Sequence, residues 1–142
     1  MLHAFKFERH DFLDAPLAEL LESVVRARND LDFDAIVAVP MHRAKLRQRG
    51  YNQAELLAQA LAKRLRIRCE PMLRKRIDRN PQSTLARRDR AANVRGVFEA
   101  SPRAGERSLL IVDDICTTAE TLRACAKTLL AAGAARVCAV VV

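Results

Sequence analysis

The chain is short of glycine, aromatic residues and long apolar runs, and each shortage removes a class of protein. Its 142 residues include four glycines, Gly50, Gly96, Gly105 and Gly133. They are dispersed, so neither the dinucleotide fingerprint nor the Walker A loop can be written on the chain. There is no tryptophan and one tyrosine, Tyr51, which argues against an aromatic platform for stacking single-stranded bases. No apolar run approaches the roughly 20 residues that a membrane span needs. The N-terminal residues also lack the basic, apolar and small-residue order of a secretory signal, so the expectation is a cytoplasmic protein without a membrane span. The four cysteines, Cys69, Cys116, Cys125 and Cys138, form no Cys-x-x-Cys pair and have no histidine at ligand spacing. A zinc site is therefore not expected. His3, His10 and His42 are isolated.

What is abundant is positive charge. Lysine and arginine number 25 against 17 aspartates and glutamates, a formal net charge of +8 and a pI near 10.0. Clustered arginine suits a polyanion, and either a pyrophosphate-bearing substrate or a nucleic-acid backbone answers that description. Half of the residues are hydrophobic, and at this length one domain buries a core without disulfide or metal staples.

Taken in order, residues 1–12 mix apolar and charged positions and read as an edge strand or a short helix. Asp14 is a candidate N-cap with Pro16 in the first turn, and Leu17, Leu20, Leu21, Val24 and Val25 then make an apolar helical stripe. Residues 34–40, Asp-Ala-Ile-Val-Ala-Val-Pro, read as a buried strand that Pro40 ends. A basic loop follows, with Arg43, Lys45, Arg47 and Arg49 within seven residues, then Gly50-Tyr51-Asn52-Gln53. Asn52, with Glu55 three residues on, is a capping-box variant for a helix whose buried face is Leu56, Leu57, Ala60, Leu61 and Leu65. Residues 67–73 read weakly as a strand interrupted by Glu70 and Pro71. Residues 74–95 carry seven arginines and one lysine with little periodicity, the pattern of a functional loop or of disorder. A short strand at 97–99 and a turn around Pro102 and Gly105 come next.

The central stretch is residues 109–121, Leu-Leu-Ile-Val-Asp-Asp-Ile-Cys-Thr-Thr-Ala-Glu-Thr. Four consecutive apolar residues predict a strand covered on both faces. The acids Asp113 and Asp114 then fall at its carboxyl end, where open α/β sheets bind ligands. The residues from Thr117 to Thr121 offer backbone N–H groups and threonine hydroxyls to an anion at a helix N-terminus. Leu122, Cys125, Ala126, Leu129 and Leu130 give the helix its apolar face, Gly133 ends it, and residues 136–142 read as the last buried strand. Cys125 and Cys138 read as small core residues, whereas Cys116 lies in the loop itself, as an incidental small residue or a thiol with a redox or nucleophilic role.

Four apolar residues, two acids, two variable residues and Thr-Thr-x-x-Thr resemble the ribose-phosphate motif of the type I phosphoribosyltransferases, with Ala119 where that family usually has glycine. Val39-Pro40, Arg47-x-Arg49-Gly50-Tyr51-Asn52-Gln53, Gln82, Arg90, Asn93, Val94, Gly96 and Phe98 narrow the resemblance to the ComF-like, competence-associated subgroup, without its N-terminal zinc ribbon. The resemblance implies an α/β fold, an open and mostly parallel sheet flanked by helices, in a single domain spanning 1–142. Residues 1–32 would be the N-terminal hood and helix region, and 33–142 the core. By the same resemblance Asp113 and Asp114 hold the ribose hydroxyls as the catalytic pair, while Thr117, Thr118, Ala119, Glu120 and Thr121 cradle the 5′-phosphate. Arg47, Arg49, Arg87, Arg88 and Arg90 face the pyrophosphate, the last three from a loop that closes over it.

The implied reaction is displacement of pyrophosphate from phosphoribosyl diphosphate by a nitrogen acceptor that the sequence does not identify. Mg2+ would bridge the diphosphate and ribose oxygens, and no metal ligand is assigned directly. A homodimer is a candidate assembly. The alternative is a non-catalytic relative acting as an accessory protein in DNA uptake or nucleic-acid handling, which the arginines and Ala119 favour. An acidic magnesium pocket of the response-regulator kind ranks last, because the neighbouring strand end carries Pro40 and a basic loop.

Overall fold

Apolar runs alternating with helical spacing produce a parallel sheet with helices on both faces. The computed structural model describes residues 11–76, 97–114 and 119–142, and the side chains of 11–14 are excluded. In chain order the elements are α1 (Asp11–Arg26), β1 (Ala35–Ala38), α2 (Arg43–Arg49), α3 (Gln53–Leu65), β2 (Arg68–Cys69) and β3 (Leu73–Lys75). They continue with β4 (Phe98–Ala100), a 3-10 turn (Pro102–Ala104), β5 (Ser108–Asp113), α4 (Ala119–Ala131) and β6 (Arg136–Val141). The strands β2, β1, β5 and β6 lie in that order in a four-stranded sheet, and β3 pairs with β4 separately. Every pair in the larger sheet is parallel, whereas β3 and β4 are antiparallel.

Alternation along the central strands assigns the two faces. Ala35, Val37, Leu109 and Ile111 pack with Cys125 and Leu129 of α4 and with Leu73 and Phe98 of the small sheet. Ile36, Leu110 and Val112 pack on the other side with Ala18 and Leu21 of α1 and Leu57, Ala58 and Leu61 of α3. Each fully buried side chain of this size contributes about 1.5–3 kcal/mol. Among the described residues no helix is long and apolar enough to cross a membrane.

Several elements differ from expectation for identifiable reasons. The first helix starts at Asp11, so Asp14 is not its cap and Pro16 lies inside it. The fixed φ of proline is helical, but at the sixth residue of the helix its missing N–H forgoes the bond to the carbonyl four residues earlier. The apolar stripe of α1 is narrower than the composition suggests: Ala18 and Leu21 are buried, but Leu20 is 55% and Val24 52% exposed. The basic segment after Pro40 is a helix rather than a loop. Its residues are good helix formers, His42 Nδ1 accepts from Ala44 N–H at 3.2 Å, and Gly50 closes it at φ 83°.

The weak strand over 67–73 is two strands in two sheets. Glu70 N–H donates to Ile36 O at 2.9 Å as the last bond of one ladder, and Pro71, lacking an N–H, forms the corner. β6 is an edge strand, so Val140 is buried and Cys138 only half-buried, while Cys125 is buried as expected. Residues 1–10, the arginine-rich 77–96 and the loop 115–118 lie outside the described residues.

Candidate functional site

The strand order creates the site. From β1 the chain crosses to β2 on one side, and from β5 it crosses to β6 on the other. Neighbouring strands whose connections leave in opposite directions open a crevice at their carboxyl ends, the place where open α/β sheets hold ligands. β1 and β5 are those strands, and Val39 N–H extends their ladder by donating to Val112 O at 3.0 Å. A cavity of about 270 Å³ sits there, walled by Val39, Pro40 and Met41 after β1 and by Asp113 and Asp114 after β5.

Asp113 is the last residue of β5 and 9% exposed. Its Oδ1 accepts from the backbone N–H of Asp114 at 2.9 Å, and Asp114 is half-buried beside it. Behind this pair lies Cys125, whose thiol is pushed up to about 12, first by burial and then by the negative charge of Asp113. Cys125 is thus a neutral packing group under the acids, unsuited to act as a nucleophile near neutral pH.

The opposite wall is basic. Lys45 and Arg49, four residues apart on α2, line the cavity together. Arg47, two residues from each, stands off that face because positions i and i+2 diverge on a helix, and it is exposed and absent from the lining. The structure therefore brings Arg49 to the acids and separates Arg47 from them. Asn52 holds this wall in place: its Nδ2 donates to Val39 O at 3.1 Å while its Oδ1 caps α3 by accepting from Ala54 N–H at 3.1 Å.

Lys75 and Gln53, like Lys45, line the cavity without having been given a site role from sequence. Lys75 arrives from β3. It sits at the start of the arginine-rich stretch, where aperiodic sequence gave no strand signal to aim it. Gln53, the first residue of α3, is 2% exposed and also reaches the cavity; its place immediately after the Asn52 cap was the available clue.

Ala119, Glu120 and Thr121 form the exposed first turn of α4, outside the lining of this cavity. Thr117 and Thr118, with Cys116, lie outside the described residues, as do Arg87, Arg88 and Arg90. A second cavity, about 290 Å³, shares Pro40, Met41 and Asn52 with the first and is closed by Glu55, Cys69 and Glu70. There the Cys69 thiol is pushed up to about 11, first by burial and then by Glu55 and Glu70. Glu70 is itself paired with Arg107 and, at 3.5 Å, with Arg103.

Among the described residues no group of three or more His, Cys, Asp or Glu side chains is arranged to hold a metal ion. Two adjacent carboxylates without a third donor do fit magnesium of the kind carried mainly by a ligand's own oxygens and by water.

A parallel sheet with acids and cations facing each other across its switch point defines an open-sheet α/β protein whose candidate site is the crevice at the strand ends. Residues 52–142 match the phosphoribosyl transferase domain family, and the chain belongs to that family. It is 34% identical over 137 residues to Competence protein F of Haemophilus influenzae, covering 91% of this chain and 60% of that protein. It is likewise 34% identical over 143 residues to the DNA utilization protein YhgH of Escherichia coli K12, covering 96% of this chain and 63% of the relative. The chain thus spans somewhat under two thirds of the length of these relatives.

Solved structures agree on the fold. The allosteric regulatory enzyme of purine biosynthesis superposes with a TM-score of 0.64 at 16% identity, over 97% of this chain and 29% of that one. The glutamine phosphoribosylpyrophosphate amidotransferase of B. subtilis gives 0.61 at 14% identity, over 97% and 30%.

Proposed function

We propose that this domain binds phosphoribosyl diphosphate and transfers its phosphoribosyl group to a nitrogen acceptor, releasing pyrophosphate. The observation that carries the reading is the facing of Asp113 and Asp114 against Lys45, Arg49 and Lys75 across one cavity of about 270 Å³. A sugar bearing hydroxyls on one side and a diphosphate on the other needs acceptors and cations placed in that way. In this reading the carboxylates of Asp113 and Asp114 accept hydrogen bonds from the ribose 2′ and 3′ hydroxyls. Thr117, Thr118, Ala119, Glu120 and Thr121 take the 5′-phosphate at the N-terminus of α4. Arg49, with Lys45 and Lys75, faces the diphosphate; Arg87, Arg88 and Arg90 join it from the neighbouring segment, and Arg47 contributes at most long-range charge.

The chemistry is a displacement at C1: the bond from C1 to the pyrophosphate oxygen breaks with its electron pair leaving on pyrophosphate, and a C1–N bond forms. The residues position the sugar and stabilise the charge that grows on the leaving group. Mg2+, held by ligand oxygens near Asp113 and Asp114, would supply further charge neutralisation when bound. We place residues 1–142 in one cytoplasmic domain, 33–142 forming its core and 1–32 its N-terminal region.

The Asp113→Asn, Asp114→Asn double variant tests the ribose assignment. Hydrogen bonds to charged groups contribute about 1.5–3 kcal/mol each, so affinity for phosphoribosyl diphosphate falls at least tenfold while affinity for inorganic pyrophosphate changes little. Undiminished affinity in the variant contradicts the assignment.

A second reading is an accessory role in nucleic-acid handling, with the pocket retained and turnover lost. The net charge of +8 and the names of the relatives, competence and DNA utilization proteins, favour it. Steeply salt-dependent DNA binding without pyrophosphate release is its signature.

A further inference from the structure

Gln53 is a buried amide whose hydrogen bonding is incomplete at the edge of the candidate site. Its Nε2 is buried with no hydrogen-bond partner among the described residues, although the residue lines the cavity. A dry, unmatched donor is unfavourable. Asn52, one residue earlier and of the same chemistry, shows the contrast, since both ends of its amide are paired.

The surroundings of Gln53 define what would satisfy it. It begins the 13-residue α3, whose positive end faces the same cavity. Lys45, Arg49 and Lys75 complete a wall of cations and donors, while Asp113 and Asp114 form the other side. A wall of this composition calls for an anionic acceptor.

We propose that Gln53 is a ligand-binding and specificity-determining residue of this site, its amide N–H reserved for an oxygen of the ligand's diphosphate. This rests on the reading of the cavity as a phosphoribosyl diphosphate site, and it orients the ligand there. The diphosphate lies toward the start of α3, and the ribose lies toward Asp113 and Asp114. Selectivity follows, because a sugar phosphate lacking the diphosphate leaves the donor unmatched.

The test is calorimetric titration of the wild type, Gln53→Met and Gln53→Glu with phosphoribosyl diphosphate, inorganic pyrophosphate and ribose 5-phosphate in magnesium buffer, with a thermal melt of each protein. Methionine keeps the length and removes the donor, so Gln53→Met melts at or above the wild type. It loses tenfold or more in affinity for the two diphosphate ligands, with its affinity for ribose 5-phosphate unchanged. Gln53→Glu, which places a carboxylate there, loses more. Gln53→Met binding both diphosphate ligands within twofold of wild type overturns the role of Gln53 and leaves the functional reading intact. If wild type binds phosphoribosyl diphosphate no better than pyrophosphate while Gln53→Met loses both, the ribose reading fails and Gln53 keeps its role. A wild type that binds none of the three overturns both.

Discussion

Asp113 and Asp114 are adjacent in sequence but differ in placement: the first is 9% exposed at the end of its strand, and the second is half-buried, its N–H donating to Oδ1 of the first. Both line the same cavity. Their position was legible because four apolar residues followed by acids give a strand end without further information. The places of Lys75 and Gln53 in the site were not legible, because neither lies in a periodic pattern that aims its side chain, and a buried amide leaves no compositional trace. Arg47 and Arg49 looked equivalent in sequence, and only the helical phase of α2 separates them. Ala119 is the residue-scale departure from the family's motif. Ala119→Gly removes a Cβ at the start of α4, so phosphoribosyl diphosphate binds more tightly if that Cβ crowds the phosphate. Glycine in place of alanine costs the helix up to about 1 kcal/mol, and the melting temperature falls accordingly. Unchanged or weaker affinity by calorimetry would mean that the loop has already accommodated the alanine.

At the scale of elements, α2 decides how the basic wall is presented. Sequence showed four cations at alternate positions after Pro40, and a loop would have scattered them. The helix instead places Lys45 and Arg49 on one face, and it ends where it does because Gly50 adopts φ 83° with its N–H donating to Leu46 O at 2.7 Å. A residue with a Cβ at that φ is strained by about 1–2 kcal/mol. Gly50→Ala therefore lowers stability by that amount in urea unfolding. It also weakens pyrophosphate binding several-fold, as the last turn of α2 shifts Arg49. Full retention of both properties would show that the cap does not position the wall. α1 illustrates the opposite limit of legibility: its hydrophobic residues were visible, but which of them face α3 depends on packing. Leu21 is buried and Leu20 is not, because successive helical residues lie 100° apart.

For the whole molecule, the class and order of the sheet follow from long-range pairing. Alternating apolar strands and amphipathic helices announced a parallel sheet, which the structure bears out. The short strand expected at 97–99 appears as β4, but its antiparallel pairing with β3 was hidden, because three-residue strands in polar sequence leave almost no periodicity. The interruption expected at Glu70 and Pro71 is the corner between the two sheets. What the topology adds is the switch point between β1 and β5, where strands whose paired residues, such as Ala38 and Val112, lie far apart in sequence end side by side. At this scale the excess positive charge has two uses, and ionic strength separates them. A diphosphate in a cavity depends on salt moderately, whereas a DNA backbone spread over many arginines depends on it steeply.

The measurement that bears most directly on the central claim is calorimetric titration of the purified protein with phosphoribosyl diphosphate, with and without magnesium, at two salt concentrations. Saturable one-site binding that strengthens with magnesium and weakens only moderately with salt is the predicted result. No binding at high ligand concentration, together with DNA binding that collapses between the two salt concentrations, would contradict the account.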